Sequence, residues 1–396
     1  MIFLTPQLPP TYLEAIDLIR QLRGNLRFAT SDSVNRWTGL LARMTLARAI
    51  QSSNTMEGIA ATIDDAVAAV DREEPIGPKD ENWEALIGHR DAMDYIIQLA
   101  KDPKKYPYNE GTILGLHFMM MRYDLNKDPG RWRPGGVHVT HAATGQIVYE
   151  GPPATMVQEL VGELIDGLNQ PDSTHVLVRA AMAHLNLAMI HPFRDGNGRM
   201  ARALQTMVLS KDQILSPVFS SIEEYVGRHS LDYHAALAEV GRDSWHPEND
   251  PLPFIKFCLT AHYRQATTLL RRVEQMGKLI TNLEQELKES RLNTRMLNAL
   301  IDAAAGLKVR NPIYRKQAGI SFQQAKLDLA ALVKTGLLSP KGERRGRFYV
   351  ASERLSKLQA ETRLPRAALD PFDEIERRRQ PEPADLPGFT ASPAER

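Results

Sequence analysis

The 396-residue sequence predicts a mainly helical protein with one β-hairpin in its body and a winged-helix unit near its C-terminal end. Three observations lead to this fold class. Apolar residues recur at helical spacing through most of the chain. The pattern changes to alternation of apolar and polar residues at 136–150, as in a hairpin. Near the end, two short helical segments and a longer one precede two short strands, which is the order of a winged helix.

Composition excludes few classes of function. The 49 Lys and Arg residues balance 48 Asp and Glu residues, so no overall field favours nucleic acid or membrane. The single cysteine, Cys258, lies in an apolar helical run, which is typical of a core residue, and it cannot form an intrachain disulfide. The chain shows no secretory signal and no run long enough for a membrane span. We therefore expect a cytoplasmic protein with no membrane partner.

Residues 1–110 are predicted to form an N-terminal helical segment, with amphipathic helices at 12–22, 35–50 and 81–99. The second of these ends before Gly58, a residue suited to stop a helix. Ser53 and Glu57 are one helical turn apart and so share a face. By itself, this pair is also compatible with a solvated surface glutamate.

Residues 111–265 are predicted to form the central unit. Helical patterns occur at 111–122, 155–168, 176–190, 200–209, 222–240 and 254–266. Between the first two lies the hairpin 136–150, built around Ala143, Thr144 and Gly145. Because an exposed hairpin edge can pair with an extended segment, the hairpin is a candidate docking site for a partner protein.

One stretch of this unit, His191 to Arg202, combines the groups needed for transfer from a nucleotide. Pro192 ends the preceding helix, and the backbone amides of Gly196, Asn197, Gly198 and Arg199 open the next one, which makes a site for phosphate. Arg199 and Arg202 add positive charge on one helix face. Asp195 is a candidate Mg²⁺ ligand, and His191 is a candidate general base.

The same stretch matches the HPFx[D/E]GNGRxxR motif without a departure and resembles the Fic (Fic/Doc) proteins, and the resemblance covers about residues 30–265. Pro129 to Arg133 is similar to the PGxYR segment of this family, with Trp132 at the tyrosine position. The resemblance implies a Fic-type helical core with a hairpin flap that clamps the target protein. It also implies that ATP and Mg²⁺ are used and that AMP is transferred to a protein hydroxyl.

The resemblance assigns roles residue by residue. His191 would deprotonate the target Ser, Thr or Tyr, Asp195 would hold Mg²⁺, and Arg202 would bind the γ-phosphate. The phosphates would be held by four consecutive residues: Gly196, Asn197, Gly198 and Arg199. The 222–240 helix corresponds to the family's adenine-pocket helix, so Tyr233 is a candidate stacking residue, although a plain core tyrosine is a close alternative.

The segment from Ser53 to Gly58 is similar to the inhibitory motif [S/T]xxxE[G/N] of the family. The resemblance implies that Glu57 forms an ion pair with Arg202 and displaces the γ-phosphate. No GxxxxGK[ST] segment occurs, so a nucleotide would not be held by a P-loop.

Beyond the central unit we expect a charged helical spacer at 266–292, a winged helix at 293–352 and a disordered tail at 364–396. Basic residues in the turn of the winged helix could contact phosphates: Arg344, Arg345 and Arg347. DNA binding and protein docking or homodimerisation have equal support. The overall prediction is a protein adenylyltransferase inhibited by Glu57. The alternatives are removal of AMP by the same site, a nucleotide-sensing DNA-binding regulator, and transfer of UMP, phosphate or phosphocholine.

Overall fold

A computed structural model describes residues 1–31, 38–75, 77–140, 145–211, 213–343, 346–365 and 370–379. Over these residues the protein is mainly helical, and its strands form two separate antiparallel hairpins. The predicted fold class is confirmed.

The N-terminal part of the body consists of five helices: α1 Pro10–Ala29, α2 Thr38–Met56, α3 Ile63–Val70, α4 Glu81–Leu99 and α5 Glu110–Met121. α2 ends at Met56, shortly before Gly58 as predicted, so Ser53 lies inside the helix and Glu57 directly follows it. Gly58 has a φ of 80°, a conformation that glycine adopts without steric cost. The predicted helix stop is therefore where α2 leaves its helical path.

The first hairpin follows α5. It pairs β1 His138–Thr140 with β2 Ile147–Glu150, and Val139 lies opposite Tyr149. Residues 141–144, which include two of the three predicted turn residues, lie outside the described part of the chain. The hairpin predicted at 136–150 is confirmed by these two strands.

The centre of the body is built from α6 Val157–Asn169, α7 Val176–Ile190, α8 Asn197–Ser210, α9 Pro217–Ser220, α10 Glu223–Arg228, α11 Ser230–Gly241 and α12 Leu252–Glu289. α7 and α8 pack against each other and are buried on almost every face. α7 is apolar around most of its circumference, which is typical of a helix in the core of a protein. The loop that joins α7 to α8 is therefore held at both ends by the core.

α12 differs from the predicted division into a closing helix and a spacer. It runs through 38 residues without interruption, and α1 packs along its first part. Leu269 belongs to the main core, whereas Leu283 and Leu287 belong to a second core. The 266–292 stretch, predicted as a charged helical spacer, has a leucine stripe that is buried against the C-terminal unit.

The C-terminal unit consists of α13 Leu297–Ala304, α14 Asn311–Ala318, α15 Phe322–Lys334, β3 Leu338–Lys341, β4 Phe348–Ala351 and α16 Glu353–Glu361. Three helices followed by an antiparallel hairpin is the order that the sequence predicts. Ser321 caps α15, as expected, by accepting a hydrogen bond from the Gln324 amide at 3.1 Å. The turn arginines Arg344 and Arg345 lie outside the described residues.

The prediction of a disordered tail from residue 364 is wrong for one segment. A further helix, α17 Pro371–Arg379, packs on α1. Its Ile375 is buried, and the Phe372 ring meets the Tyr12 ring edge-on at 5.2 Å. These two apolar side chains order the segment because α1 offers them a partner. Residues 380–396 lie outside the described part of the chain. Among the described residues, no helix is long and apolar enough to cross a membrane.

Candidate active site

The motif loop turns sharply at both ends. His191 follows α7 in a left-handed conformation with φ 50°, which is uncommon for a residue with a side chain. Gly196 opens α8 with φ 76°, and a Cβ at this position would lie 2.8 Å from Met121 Sδ. The loop therefore needs glycine at residue 196, and it places His191 near the N-terminus of α8.

His191 is in the protonation state of a base. Its Nδ1 lies 3.2 Å from the carbonyl oxygen of Ala188. Because a carbonyl oxygen can only accept, Nδ1 carries the proton and Nε2 keeps its lone pair. Burial lowers the pKa of His191 below its ordinary value, so the ring is neutral at pH 7.

Arg133 supports the backbone below His191. Its guanidinium donates hydrogen bonds to the carbonyl oxygens of His191 at 2.8 Å, Gly135 at 2.5 Å and Pro152 at 2.5 Å. Its own amide donates to the Pro192 carbonyl oxygen at 2.9 Å. In the sequence, the resemblance to PGxYR was the one signal for this residue, and its positioning role was not predicted.

His117 on α5 supports the other half of the loop. Its Nδ1 accepts a hydrogen bond from the Gly130 amide at 2.8 Å, so Nε2 carries the proton and donates to the Asp195 carbonyl oxygen at 3.0 Å. The ring stacks on Phe193 with 3.7 Å between centroids. Burial lowers the pKa of His117 to about 4. Sequence analysis missed this residue, because a lone histidine in an apolar helix belongs to no pattern.

Asn197 uses its side chain inside the loop. Its amide group exchanges two hydrogen bonds with the backbone of Phe193, each at 2.9 Å. The predicted phosphate role is therefore left to the backbone N–H of Asn197, at the N-terminus of α8.

Asp195 offers the carboxylate that Mg²⁺ would need. Its side chain is 37% exposed, and Oδ2 lies 3.2 Å from Nζ of Lys127. Protein-bound Mg²⁺ commonly takes one or two carboxylates together with substrate phosphates. Among the described residues, no cluster of three potential metal-binding side chains occurs. The donor set therefore fits a metal that is shared with phosphates, and Lys127 would have to leave Oδ2.

Arg199 is a buried cation with unused donors. The residue is 1% exposed, and its Nη2 lies 3.1 Å from the Tyr123 hydroxyl oxygen. Within the described structure, its Nε and Nη1 atoms have no hydrogen-bond partner. An unpaired buried charge is costly, so this guanidinium is arranged for an anion at the start of α8.

Glu57 lies on the phosphate side of the site. Its Oε1 accepts a hydrogen bond from Arg202 Nη2 at 2.7 Å, and Arg202 Nε donates to the Ser53 hydroxyl at 2.8 Å. A Cβ at Gly198 would lie 2.3 Å from the same Oε1 atom. Burial lowers the pKa of Arg202, but Glu57, Tyr233 and Glu223 together hold that pKa above its ordinary value. Glu57 thus covers the first turn of α8, where the phosphates are predicted.

The prediction that Tyr233 stacks on a nucleotide base does not hold in this structure. Tyr233 is 2% exposed, and its hydroxyl lies 2.9 Å from Nε2 of His184 in the core. The helix turns this face inward, so the alternative of a core tyrosine is correct. The next residue, His234, is exposed and lies within electrostatic range of Glu57 and Arg202.

A zinc site made of His184, His191 and Cys258 is also excluded by these contacts. His184 uses both ring nitrogens, one with Tyr233 and the other with Gln205 at 2.5 Å. Burial raises the pKa of the Cys258 thiol, which keeps it protonated. Cys258 is the core residue that the sequence predicts.

The hairpin stands beside the loop. The Tyr149 hydroxyl donates to the Met189 carbonyl oxygen at 2.8 Å and so fastens β2 to α7. Ile147 and Val148 on the same strand are exposed. The hairpin therefore presents apolar side chains to solvent, while Tyr149 attaches strand β2 to α7 close to His191.

Comparison with known proteins agrees with this geometry. The model of the Fic/DOC family matches residues 107–209. Over 109 residues the chain is 31% identical to "Protein adenylyltransferase fic-1" of Caenorhabditis elegans, a match that covers 26% of this chain and 21% of the relative. It is 28% identical over 212 residues to "Protein adenylyltransferase Fic" of Nematostella vectensis, covering 52% of this chain and 45% of the relative. The chain thus spans less than half of either relative.

Solved structures agree at the level of fold. A Fic family protein from Desulfovibrio desulfuricans G20 superposes with a TM-score of 0.55 at 22% identity, and the match covers 88% of this chain and 98% of that one. A Fic domain containing protein from Bacteroides thetaiotaomicron gives a TM-score of 0.53 at 23% identity over 65% of this chain and 96% of that one. Over residues 107–209, the segment that includes the motif loop, the chain is therefore similar to the Fic/DOC family.

Proposed function

We propose that the protein transfers AMP from ATP to a hydroxyl group of a target protein and that Glu57 inhibits this transfer. One observation carries the proposal: the Glu57 carboxylate pairs with Arg202 across Gly198, on the helix end where phosphates would bind. The relatives named protein adenylyltransferases support the same class of reaction.

In the proposed reaction, the oxygen of the target hydroxyl forms a bond to the α-phosphorus of ATP. The bond between this phosphorus and the bridging oxygen breaks, and pyrophosphate leaves. His191 Nε2 accepts the proton of the hydroxyl, which its neutral tautomer allows. His117 and Arg133 keep the loop in place, so the base needs little rearrangement during the reaction.

The phosphates would be bound by the amides at the start of α8 and by the two motif arginines. Arg199 would give its unused Nε and Nη1 donors to the nucleotide. Arg202 would bind the γ-phosphate once Glu57 has moved away. Mg²⁺, held by Asp195 and the phosphates, would neutralise part of the charge that pyrophosphate carries away.

The inhibition follows from competition for Arg202. A charge-assisted hydrogen bond is worth roughly 1.5–3 kcal/mol, which corresponds to roughly ten- to hundredfold weaker productive binding of ATP. The Glu57 side chain is 23% exposed, so it can leave without opening the core.

Removal of AMP from a modified protein is a second candidate. The Glu57 carboxylate that pairs with Arg202 would then help position a water molecule at the same site. In that reaction Glu57 would be required, whereas in transfer it inhibits.

For partners, we propose that the target protein pairs with the hairpin 136–150 beside His191. For the C-terminal unit, the exposed side chains of α15 favour protein docking, including docking to a second copy, over DNA. Phe322 is 56% exposed and Leu327 is 55% exposed, whereas Asp328 is buried against Arg295 and Tyr314. A helix that enters a DNA groove would instead need polar and basic side chains on its exposed face.

The test uses ATP labelled at either the α- or the γ-phosphate, with Glu57→Gly as the active form. The expected result is protein labelling from the α position alone. Labelling from the γ position alone would show a kinase, and no labelling from either position would overturn the proposal. Release of AMP from a modified protein, lost in Glu57→Gly, would support the second candidate.

A further inference from the structure

A cavity of about 580 Å³ lies on the far side of α2 from the nucleotide site, where α2, α12 and the C-terminal unit meet. Its volume is in the range of small-molecule sites. Part of its wall is apolar, formed by Leu41, Met44, Leu279 and Ile301. The rest is basic, and among the described lining residues none carries a carboxylate.

Beneath this wall, three guanidinium groups share one carboxylate. Glu224, whose side chain is 3% exposed, accepts two hydrogen bonds from Arg272 at 2.6 Å and one from Arg228 at 2.7 Å. Arg48 of α2 reaches the same carboxylate at 4.0 Å. One negative charge therefore balances three positive ones, and the cavity wall keeps a positive excess.

Two further observations indicate that the charge of Arg48 and the hydroxyl of Thr45 are not fully satisfied in this wall. Burial and the charge of Arg272 lower the pKa of Arg48, while Glu224 opposes them. Thr45, also in the wall, has a buried hydroxyl that finds no hydrogen-bond partner within the described structure. Arg363 brings another guanidinium to the cavity from the end of α16. A bound anion would satisfy these donors and relieve the repulsion among the cations.

We propose that this cavity binds a small molecule that carries a phosphate or pyrophosphate group on an apolar body. The arginines Arg48, Arg272 and Arg363 would bind the phosphate, and the leucine-lined side would cover the apolar part. A cavity of this size, with an apolar side, suits a small molecule better than the backbone of a nucleic acid, which needs an extended basic stripe.

The position of Arg48 implies that a ligand in this cavity would regulate AMP transfer, an inference that rests on the proposed function. Arg48 and the inhibitory Glu57 are carried by the same helix and its end. A ligand that joins Arg48 to α12 and to the C-terminal unit holds α2 in its inhibiting position. The ligand would thus be an inhibitor that strengthens the action of Glu57.

The test measures binding, so its failure is distinct from failure of the proposed activity. Sodium pyrophosphate without added metal is titrated by calorimetry into the full-length Arg199→Ala protein, in which the catalytic phosphate site is weakened. The same titration is repeated with Arg48→Gln added. The control adds Arg20→Gln, which changes an exposed arginine on α1 paired with Asp17. We expect Arg48→Gln to weaken pyrophosphate binding at least about tenfold and Arg20→Gln to leave it unchanged.

A second variant and a second measurement cover the case in which Arg48→Gln does not fold. Arg363→Gln changes an exposed residue at the cavity edge and should weaken binding in the same direction. Pyrophosphate should also slow hydrogen exchange of the α2 amides in the Arg199→Ala protein. Equal affinity with and without Arg48 and Arg363, or no binding once Arg199 is changed, would overturn the proposal.

Discussion

The motif loop and the end of α2 meet at the proposed phosphate site, but they are held there by different forces. The loop is held by hydrogen bonds from neutral or fully buried groups to its backbone, from His117, Arg133 and Asn197. The end of α2 is held by an ion pair in which the Glu57 side chain is 23% exposed. The comparison indicates that the motif loop is arranged in advance, whereas Glu57, the proposed inhibitor, can be displaced.

α2 has a further ionic attachment, to the C-terminal unit. Arg43 of α2 donates to Asp302 of α13 at 2.7 Å and to Asp71 near α3 at 2.7 Å. Lys308 adds a backbone hydrogen bond to Asp64 of α3 at 2.8 Å. The C-terminal unit therefore contacts α2, which directly precedes the proposed inhibitor Glu57, and the neighbouring α3. Changes in this unit should act on inhibition rather than on the chemistry.

The largest expected effect comes from the loop. In a Glu57→Gly background, His191→Ala should lower AMP transfer at least about 100-fold, because a general base contributes about 10²–10⁴-fold. ATP affinity should stay within a few-fold, since the base acts on the target hydroxyl. His229→Ala, an exposed histidine paired with Asp232, serves as the control. Transfer at the parent rate in a folded His191→Ala protein would contradict the mechanism.

The next largest effect tests whether the ion pair between Glu57 and Arg202 restrains the reaction. Glu57→Gly alone should raise AMP transfer at least about tenfold, because Arg202 becomes free for the γ-phosphate. Arg202→Ala should remain slow, since it removes the phosphate partner together with the inhibitor contact. Rates would be measured with ATP saturating. If wild type and Glu57→Gly react equally fast, the ion pair is only structural.

A smaller effect is expected from the attachment of α2. Asp302→Asn keeps the shape of the side chain but weakens its pairing with Arg43, so α2 should release Glu57 more often. Transfer by the otherwise wild-type protein should rise about three- to fivefold, in line with roughly 1 kcal/mol for a single pair. Asp17→Asn, which changes an exposed residue of α1 paired with Arg20, should leave the rate unchanged. An unchanged rate for folded Asp302→Asn would show that the C-terminal unit does not restrain the helix.

The smallest effect concerns the loop at mildly acidic pH. The pKa of His117 is lowered to about 4 in the folded protein, so its stabilising contribution is complete above its unfolded pKa of about 6.5 and is lost as the pH falls towards 4. Between pH 7 and pH 6 this histidine should account for a loss of about 0.7 kcal/mol in the free energy of unfolding. Denaturant unfolding of wild type and His117→Gln at both pH values measures it. If both proteins lose the same stability, His117 does not have a lowered pKa in the folded protein, and its buried contact with the loop is contradicted.

Local features were predictable because neighbours along the chain determine them. Pro192 ends α7, Gly196 opens α8, and Gly58 stops α2, each from its own backbone preference. The hairpin strands likewise follow from alternation over a few residues. The predicted position of Tyr233 was wrong because neighbouring residues of α11 lie on different faces: Tyr233 points into the core, and the next residue, His234, is exposed. The helical pattern alone did not show which of these faces lies inward.

By itself, the sequence determined which groups could perform the chemistry: the base His191, the carboxylate Asp195, the two motif arginines and the inhibitor candidate Glu57. These groups lie within short stretches whose local conformation their own residues specify. Only the tertiary structure decided what holds them and what restrains them. His117 under Asp195, Lys127 on its carboxylate, and the basic cavity behind α2 join residues from distant parts of the chain. Contacts of this kind depend on how whole helices pack, because burial and charge pairing are set by every neighbour at once.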